Sequence, residues 1–259
     1  MTQTITLKRI FLMSLLASIT VSAVVPVAQA AISLDRTRVV FPGNEKSVSL
    51  TVRNQNSELP YLAQGWLEDA QGTKLEGNSA FTVLPPVQRV EPKGQTQLKI
   101  QAMPGASLLP QDRESLYYFN LREIPPKSDK ANVLQIALQT RVKMFYRPAA
   151  LAEAAAKQQA TPYQEQLTLT KTGDSYTVNN PTPYFVTLIG ASAKKGGEVL
   201  KGFEPLMVPP KGSIALKGSA AALGGAPVLV YVNDYGGQPA LTFRCAGSTC
   251  QVDESKRDK

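Results

Sequence analysis

The sequence has no histidine in 259 residues, only two cysteines and a single tryptophan. Without histidine, neither a Ser/His/Asp nor a Cys/His nucleophilic device can be assembled, and a zinc site that needs imidazole is excluded. Two thiols are too few for an all-thiolate zinc site. No metal or other cofactor is expected. There is no nucleophile elbow, P-loop or dinucleotide fingerprint, and no carboxylate stands in an acid/base motif. Serine/lysine chemistry survives the count but has no motif behind it, so the chain reads as a binding protein and not an enzyme.

Acidic residues are in deficit: 28 Lys+Arg face 20 Asp+Glu, a formal +8. An anionic partner and an ordinary solvated surface both account for that surplus. A nucleic-acid binder would show a clustered basic patch or a known motif, whereas the Lys-rich tail from Glu254 to Lys259 carries acids among its bases.

Long apolar runs are scarce too. The one present, Ile10 to Val27, follows Lys8-Arg9 and ends in Ala28-Gln29-Ala30. This is the form of a secretory signal cleaved after Ala30. An uncleaved anchor is the competing reading, because the run approaches the length of a spanning helix; Pro26 and the Ala-x-Ala end favour secretion. Removing residues 1–30, which carry two bases and no acids, leaves a formal +6. No membrane anchor is then expected, and in an oxidising compartment Cys245 and Cys250 can pair. Ala246-Gly247-Ser248-Thr249 between them reads as a hairpin tip, and closing so short a loop contributes about 2 kcal/mol. A redox-active pair is the alternative, although four intervening residues exceed the spacing of thioredoxin-type motifs.

What is present is a succession of short strands separated by Gly, Pro and Asn. Lys46 to Arg53, Tyr61 to Glu68, Phe81 to Leu84, Thr96 to Ala102, Leu116 to Ile124 and Val133 to Tyr146 are the candidates. Gln97-Leu98-Lys99-Ile100-Gln101 alternates with the period of two that marks a sheet with one wet face. Such segments suggest a β-sandwich. The Ala-rich stretch from Ala149 to Ala160 has the composition of a short helical turn, which Pro162 stops. Strands resume at Gln166 to Thr170, Tyr176 to Asn179, Phe185 to Ile189, Ser213 to Lys217 and Val228 to Asn233, followed by the cysteine hairpin. No strand layout is read between Ala191 and Ala226. The organisation expected is a signal peptide over 1–30, a first domain over 31–148, a hinge over 149–162 and a second domain over 163–259.

In the longest candidate strand Leu134, Ile136 and Leu138 share one face, as in a core strand. Arg141 and Lys143 fall in the opposite row with Gln135, Ala137 and Gln139, which should meet water or a partner because an unpaired cation is costly to bury.

Leu109-Pro110-Gln111-Asp112-Arg113-Glu114-Ser115, Tyr118 to Pro126, Ala131 to Thr140 and Phe145-Tyr146-Arg147-Pro148 closely resemble the periplasmic pilus-assembly chaperones. The likeness extends from Ser33-Leu34-Asp35-Arg36-Thr37-Arg38 to Asn180-Pro181-Thr182-Pro183-Tyr184 and Asn233-Asp234-Tyr235-Gly236-Gly237. It is weakest between Ala191 and Ala226. The resemblance implies an all-β chain of two immunoglobulin-like β-sandwich domains arranged as an L. It also implies that Leu134, Ile136 and Leu138 form a donor strand filling the groove of a pilus subunit, pilin or adhesin, by β-augmentation. Arg38 and Lys143 match the pair that anchors the subunit's C-terminal carboxylate. Glu114, Arg147 and Asp234 match an ion network that fixes the angle between the domains. Pro60, Leu62 and Pro86 lie in runs matching the surface for the outer-membrane usher, and they are equally turn and edge residues.

Three exposed aliphatics on an edge would be an aggregation hazard, so the free protein is expected to cover them by self-association. The short connection from Pro125 to Asn132 resembles that of the subgroup serving rod-like pili. The competing class is another secreted immunoglobulin-like protein. A pilus subunit would be a single incomplete domain with an early disulfide. A glycan-binding module would show exposed aromatics, whereas Trp66 is expected in the core.

Overall fold

A computed structural model describes residues 30–77, 79–129, 132–157 and 161–256. The signal segment read from the sequence lies outside the described residues.

Residues 31–147 form a sandwich of two sheets. Strands β1 (Ile32–Leu34), β3 (Ser47–Asn54), β7 (Gln95–Ala102) and β5 (Phe81–Leu84) lie in the order β1-β3-β7-β5. Facing them are β2 (Arg38–Pro42), β9 (Gln139–Arg147), β8 (Ser115–Ile124), β4 (Tyr61–Glu68) and β6 (Val87–Val90), in the order β2-β9-β8-β4-β6. The alternation read in β7 holds: Leu98 and Ile100 are buried between exposed Gln97, Lys99 and Gln101. They meet Phe119 and Leu121 of β8 and Val142 and Met144 of β9 in one core. All the strand contacts are antiparallel except that of β2 with β9, which is parallel from Arg38 opposite Lys143 to Pro42 opposite Arg147.

The longest strand is shorter than the sequence pattern suggests. It begins at Gln139, not Val133: its pairing with β8 is registered only from Arg122 opposite Gln139, and β2 covers only Lys143 onward. Alternation records which way side chains point, not whether a neighbouring strand is there to pair with.

The Ala-rich stretch forms helix α1 (Ala149–Lys157). A second sandwich follows, built from β10 (Thr168–Thr172), β11 (Ser175–Asn180), β12 (Val186–Ser192), β13 (Leu206–Val208), β14 (Gly212–Ala215), β15 (Val228–Val232), β16 (Ala240–Ala246) and β17 (Thr249–Val252), with a one-turn helix α2 (Ala220–Leu223). Strand β16 pairs through its first half with β15 and through its second half with β17, so the eight strands form one ribbon. Leu169, Val178, Leu188, Leu229 and Phe243 fill its core.

Trp66 is not in the core. On β4 the inward row is Ala63, Gly65 and Leu67, and the indole lies half-buried on the outer face. Gly65 is tightly enclosed: a Cβ there would sit 3.0 Å from Leu98 Cδ1 and 3.1 Å from Val83 Cγ1. The outward indole donates from Nε1 to Glu68 at 3.0 Å and packs 5.6 Å from the Arg122 guanidinium.

Candidate functional site

Three of the residues singled out in the sequence lie on one strand edge. Residues 133–138 immediately precede β9 and are assigned to no strand, with Leu134, Ile136 and Leu138 exposed at 85%, 65% and 43%. Backbone pairing continues one step past the strand, since Glu123 N donates to Leu138 O at 3.0 Å. Register therefore carries through Leu138, which keeps the parity of Val142 and Met144, and Leu134 and Ile136 continue that alternation in the sequence. The apolar row is the core row of the first sandwich continued into solvent. On the side where β2 pairs with β9 downstream, no strand among the described residues covers the stretch before Lys143.

At the point where that free edge stops, Arg38 and Lys143 stand side by side, directly opposite in the β2–β9 register. Both are half-buried. Lys143 Nζ donates to Thr187 Oγ1 at 3.2 Å, and Arg38 donates to Val232 O at 3.0 Å, so both reach the second sandwich. Among the described residues neither forms an ion pair with a carboxylate, and Arg38 Nε is buried without a hydrogen-bond partner. Burial, and then the neighbouring Arg38, hold the Lys143 amine below its ordinary value. Burial likewise lowers Arg38, opposed by the charge of Asp234. Two desolvated cations with donors to spare can accept an anion, and a carboxylate suits the guanidinium fork. Phe145 lies beneath Arg38, 6.0 Å from its guanidinium, and stacks on Phe185 of the second domain at 5.7 Å. On a further flank of Arg38 an open cavity of about 800 Å³ runs along Arg36, Tyr163, Asp234 and Tyr235.

Glu114, Arg147 and Asp234 do come together. Arg147 Nε donates to Glu114 Oε1 at 2.7 Å, and its two terminal nitrogens reach the Asp234 carboxylate at 2.7 and 3.1 Å. The second Glu114 oxygen accepts from Phe185 N at 2.7 Å. The guanidinium lies 4.9 Å from the Tyr184 ring, and Tyr163 donates to Asp234 at 3.3 Å. Burial pushes the Glu114 carboxyl up to about 7 against the pull of Arg147. Against the penalty of burial, Glu114 and Asp234 hold Arg147 charged.

Pro60, Leu62 and Pro86 lie along the β4–β6 side, with Pro60 and Pro86 at opposite ends of that pairing. Leu62 is opposite Arg89 in register, and Pro86 O accepts from Gly65 N at 2.9 Å. Leu62 and Pro86 are exposed and Pro60 is half-buried. Cys245 and Cys250 are opposite one another across the β16–β17 hairpin and are disulfide-bonded, with Cα atoms 3.9 Å apart.

Sequence reasoning passed over Glu123. It belongs to the inward row of β8 with Phe119 and Leu121, at the end of the core. Its carboxylate accepts from Ile32 N at 2.9 Å and from Leu138 N at 3.4 Å. The available signal was a carboxylate falling in phase with core residues.

The fold and this arrangement of sites define a pilus-assembly chaperone, and the chain belongs to that family. Residues 31–152 match the family described as "Pili and flagellar-assembly chaperone, PapD N-terminal domain", and residues 162–243 match "Pili assembly chaperone PapD, C-terminal domain". Among individual relatives, the Escherichia coli chaperone protein PapD is 48% identical over 229 residues, covering 88% of this chain and 92% of PapD. Chaperone protein PmfD of Proteus mirabilis is 43% identical over 250 residues, covering 95% of this chain and 94% of PmfD. Among solved structures, the Salmonella enterica SafA pilin in complex with the SafB chaperone matches with TM-score 0.66 and 26% identity, covering 84% of this chain and 98% of that one.

Proposed function

We propose that the protein, freed of residues 1–30 on export, acts in the periplasm as a chaperone that captures pilus subunits, pilins and adhesin alike, by donor-strand complementation. The observation that carries this reading is the row Leu134, Ile136 and Leu138, exposed on an edge that ends at an unpaired Arg38–Lys143 pair. A subunit strand added to this edge with its C-terminal carboxylate at the cation pair lies in line with β2 and runs parallel to β9. Its C-terminus then arrives at the first residue of β2, where the two cations stand. The apolar row and the charge agree on one ligand: an extended chain end with a free carboxylate and a groove for alternate side chains.

Glu114, Arg147 and Asp234 hold the two domains at the angle this cleft requires. Pro60, Leu62 and Pro86 form the surface offered to the outer-membrane usher, away from the donor edge. The role needs no catalytic group. The test is co-expression with a pilus subunit followed by purification from the periplasm. Wild-type protein should carry the subunit, and Arg38→Ala and Lys143→Ala should lose it while remaining folded. Undiminished capture by both variants would refute the anchor.

A further inference from the structure

Glu123 presents a chemical puzzle that the capture mechanism leaves unused. It is a buried carboxylate at the end of the first core, and no Lys or Arg among the described residues forms an ion pair with it. Its hydrogen bonds come from two main-chain N–H groups, those of Ile32 and Leu138. A charge in such a place is costly unless a cation is brought to it. The nearby Lys93 is turned elsewhere, with its Nζ donating to Gln55 O at 2.8 Å, and Arg53 is exposed on β3.

The start of the mature chain lies beside this carboxylate. Ala31 is pinned by Gln55 N, which donates to its carbonyl at 2.6 Å, while the next residue's N–H is held by Glu123. Standard backbone dimensions put the Ala31 nitrogen within about 4 Å of the Ile32 nitrogen. In the uncleaved chain that nitrogen is an uncharged amide. Hydrolysis of the Ala30–Ala31 bond adds water across it and leaves a carboxylate on Ala30 and an ammonium on Ala31.

We infer that the Ala31 ammonium of the exported protein pairs with the Glu123 carboxylate, and that Glu123, so neutralised, is the positioning residue for the root of the donor stretch through Leu138. One carboxylate then links the new N-terminus on β1 to the point where the apolar row leaves the sandwich. Export and readiness to capture become coupled, because the charge that completes this corner exists only after the leader is removed. The inference rests on cleavage after Ala30 and on the donor role of residues 134–138 proposed above.

The test uses protein exported with its own leader, purified from the periplasm and weighed intact to establish its first residue. Three forms are compared: wild type, Glu123→Gln, and a form with Gly-Ser inserted between Ala30 and Ala31, which moves the ammonium away and keeps Ala31 an amide. NMR titration reads the α-amino pKa, and hydrogen exchange reads the Leu138 amide. In wild type the α-amino group should titrate at least one unit above its ordinary value of about 7.7 to 8.0. It should return to that range in the other two forms, and Leu138 should exchange roughly tenfold faster in both. An ordinary α-amino pKa in wild type, equal Leu138 exchange in wild type and inserted form, or a first residue other than Ala31 would overturn the inference. Neither readout needs a subunit, so a failure of the capture reading is recognised separately. If Glu123→Gln does not fold, the inserted form still decides.

Discussion

Truncating Leu134 should separate binding from stability more cleanly than any other change in this chain. In the free protein its side chain is 85% exposed, so Leu134→Ala removes almost nothing from the core. The expected change in unfolding free energy is within about 0.5 kcal/mol. In a subunit's groove the same side chain would be buried, and full burial of a leucine is worth about 1.5 to 3 kcal/mol. Alanine keeps only the first carbon, so the variant should lose about 1.5 to 2 kcal/mol of binding, a weakening of Kd of roughly 12- to 30-fold. Ile136, at 65% exposure, and Leu138, at 43%, have less surface left to dry, so their truncations should cost progressively less. Gln135→Ala, on the opposite face, is the control and should change little. The assay is exchange of a pilus subunit from fluorescently labelled wild-type protein to each unlabelled variant, run beside urea unfolding of the subunit-free proteins. If Leu134→Ala lost stability by more than 1 kcal/mol, or if Leu134→Ala and Gln135→Ala bound equally well, the row would not be a donor face.

Three further outcomes follow from the site geometry. Because burial and Arg38 both hold the Lys143 amine below its ordinary 10.5, the unfolded chain binds the extra proton between the folded value and 10.5. Stability of the free protein therefore rises with pH through that window. A bound carboxylate restores the charged amine, so capture should take up a proton there, as calorimetry in two buffers of different ionisation heat would read; buffer-independent heats would contradict it. Asp234→Ala removes two of the hydrogen bonds to Arg147 and should cost about 2 kcal/mol, less than breaking a fully buried pair because water reaches Asp234. Unchanged denaturation together with unchanged interdomain scattering would dismiss the network as a brace. Replacing Cys245 and Cys250 by serine should lower stability by about 2 kcal/mol, with amide exchange speeding in the second sandwich and not in the first.

The strands most legible in the sequence, β4, β7 and β8, are long enough to repeat a period of two several times. Strands β1, β2, β6 and β13 have three to five residues, too few for alternation to stand out from composition. Arg38 was therefore singled out by family resemblance, while its pairing with Lys143 appears only once β2 is seen parallel to β9. Trp66 was misplaced for a different reason: size suggested a core residue, whereas Ala63, Gly65 and Leu67 take the inward parity of β4 and leave Trp66 on the outer face. Glu123 was invisible because a charge in a core row gains meaning only from what lies opposite, and Ile32 is 91 residues away in the chain.

The phase shared by Leu138 and Val142 constrains how this chain can change length. Each residue added or lost between them rotates everything upstream by half a turn of the strand. A one-residue insertion at Thr140 would aim Gln135, Ala137 and Gln139 where Leu134, Ile136 and Leu138 had pointed, with the composition almost untouched. A two-residue insertion would restore the orientation but move the aliphatics by about 7 Å along the edge, away from the cation pair. Variants of this segment should accordingly tolerate exchange of one aliphatic for another more readily than any insertion or deletion, so the spacing from Leu134 to Lys143 works as a ruler as much as a ligand.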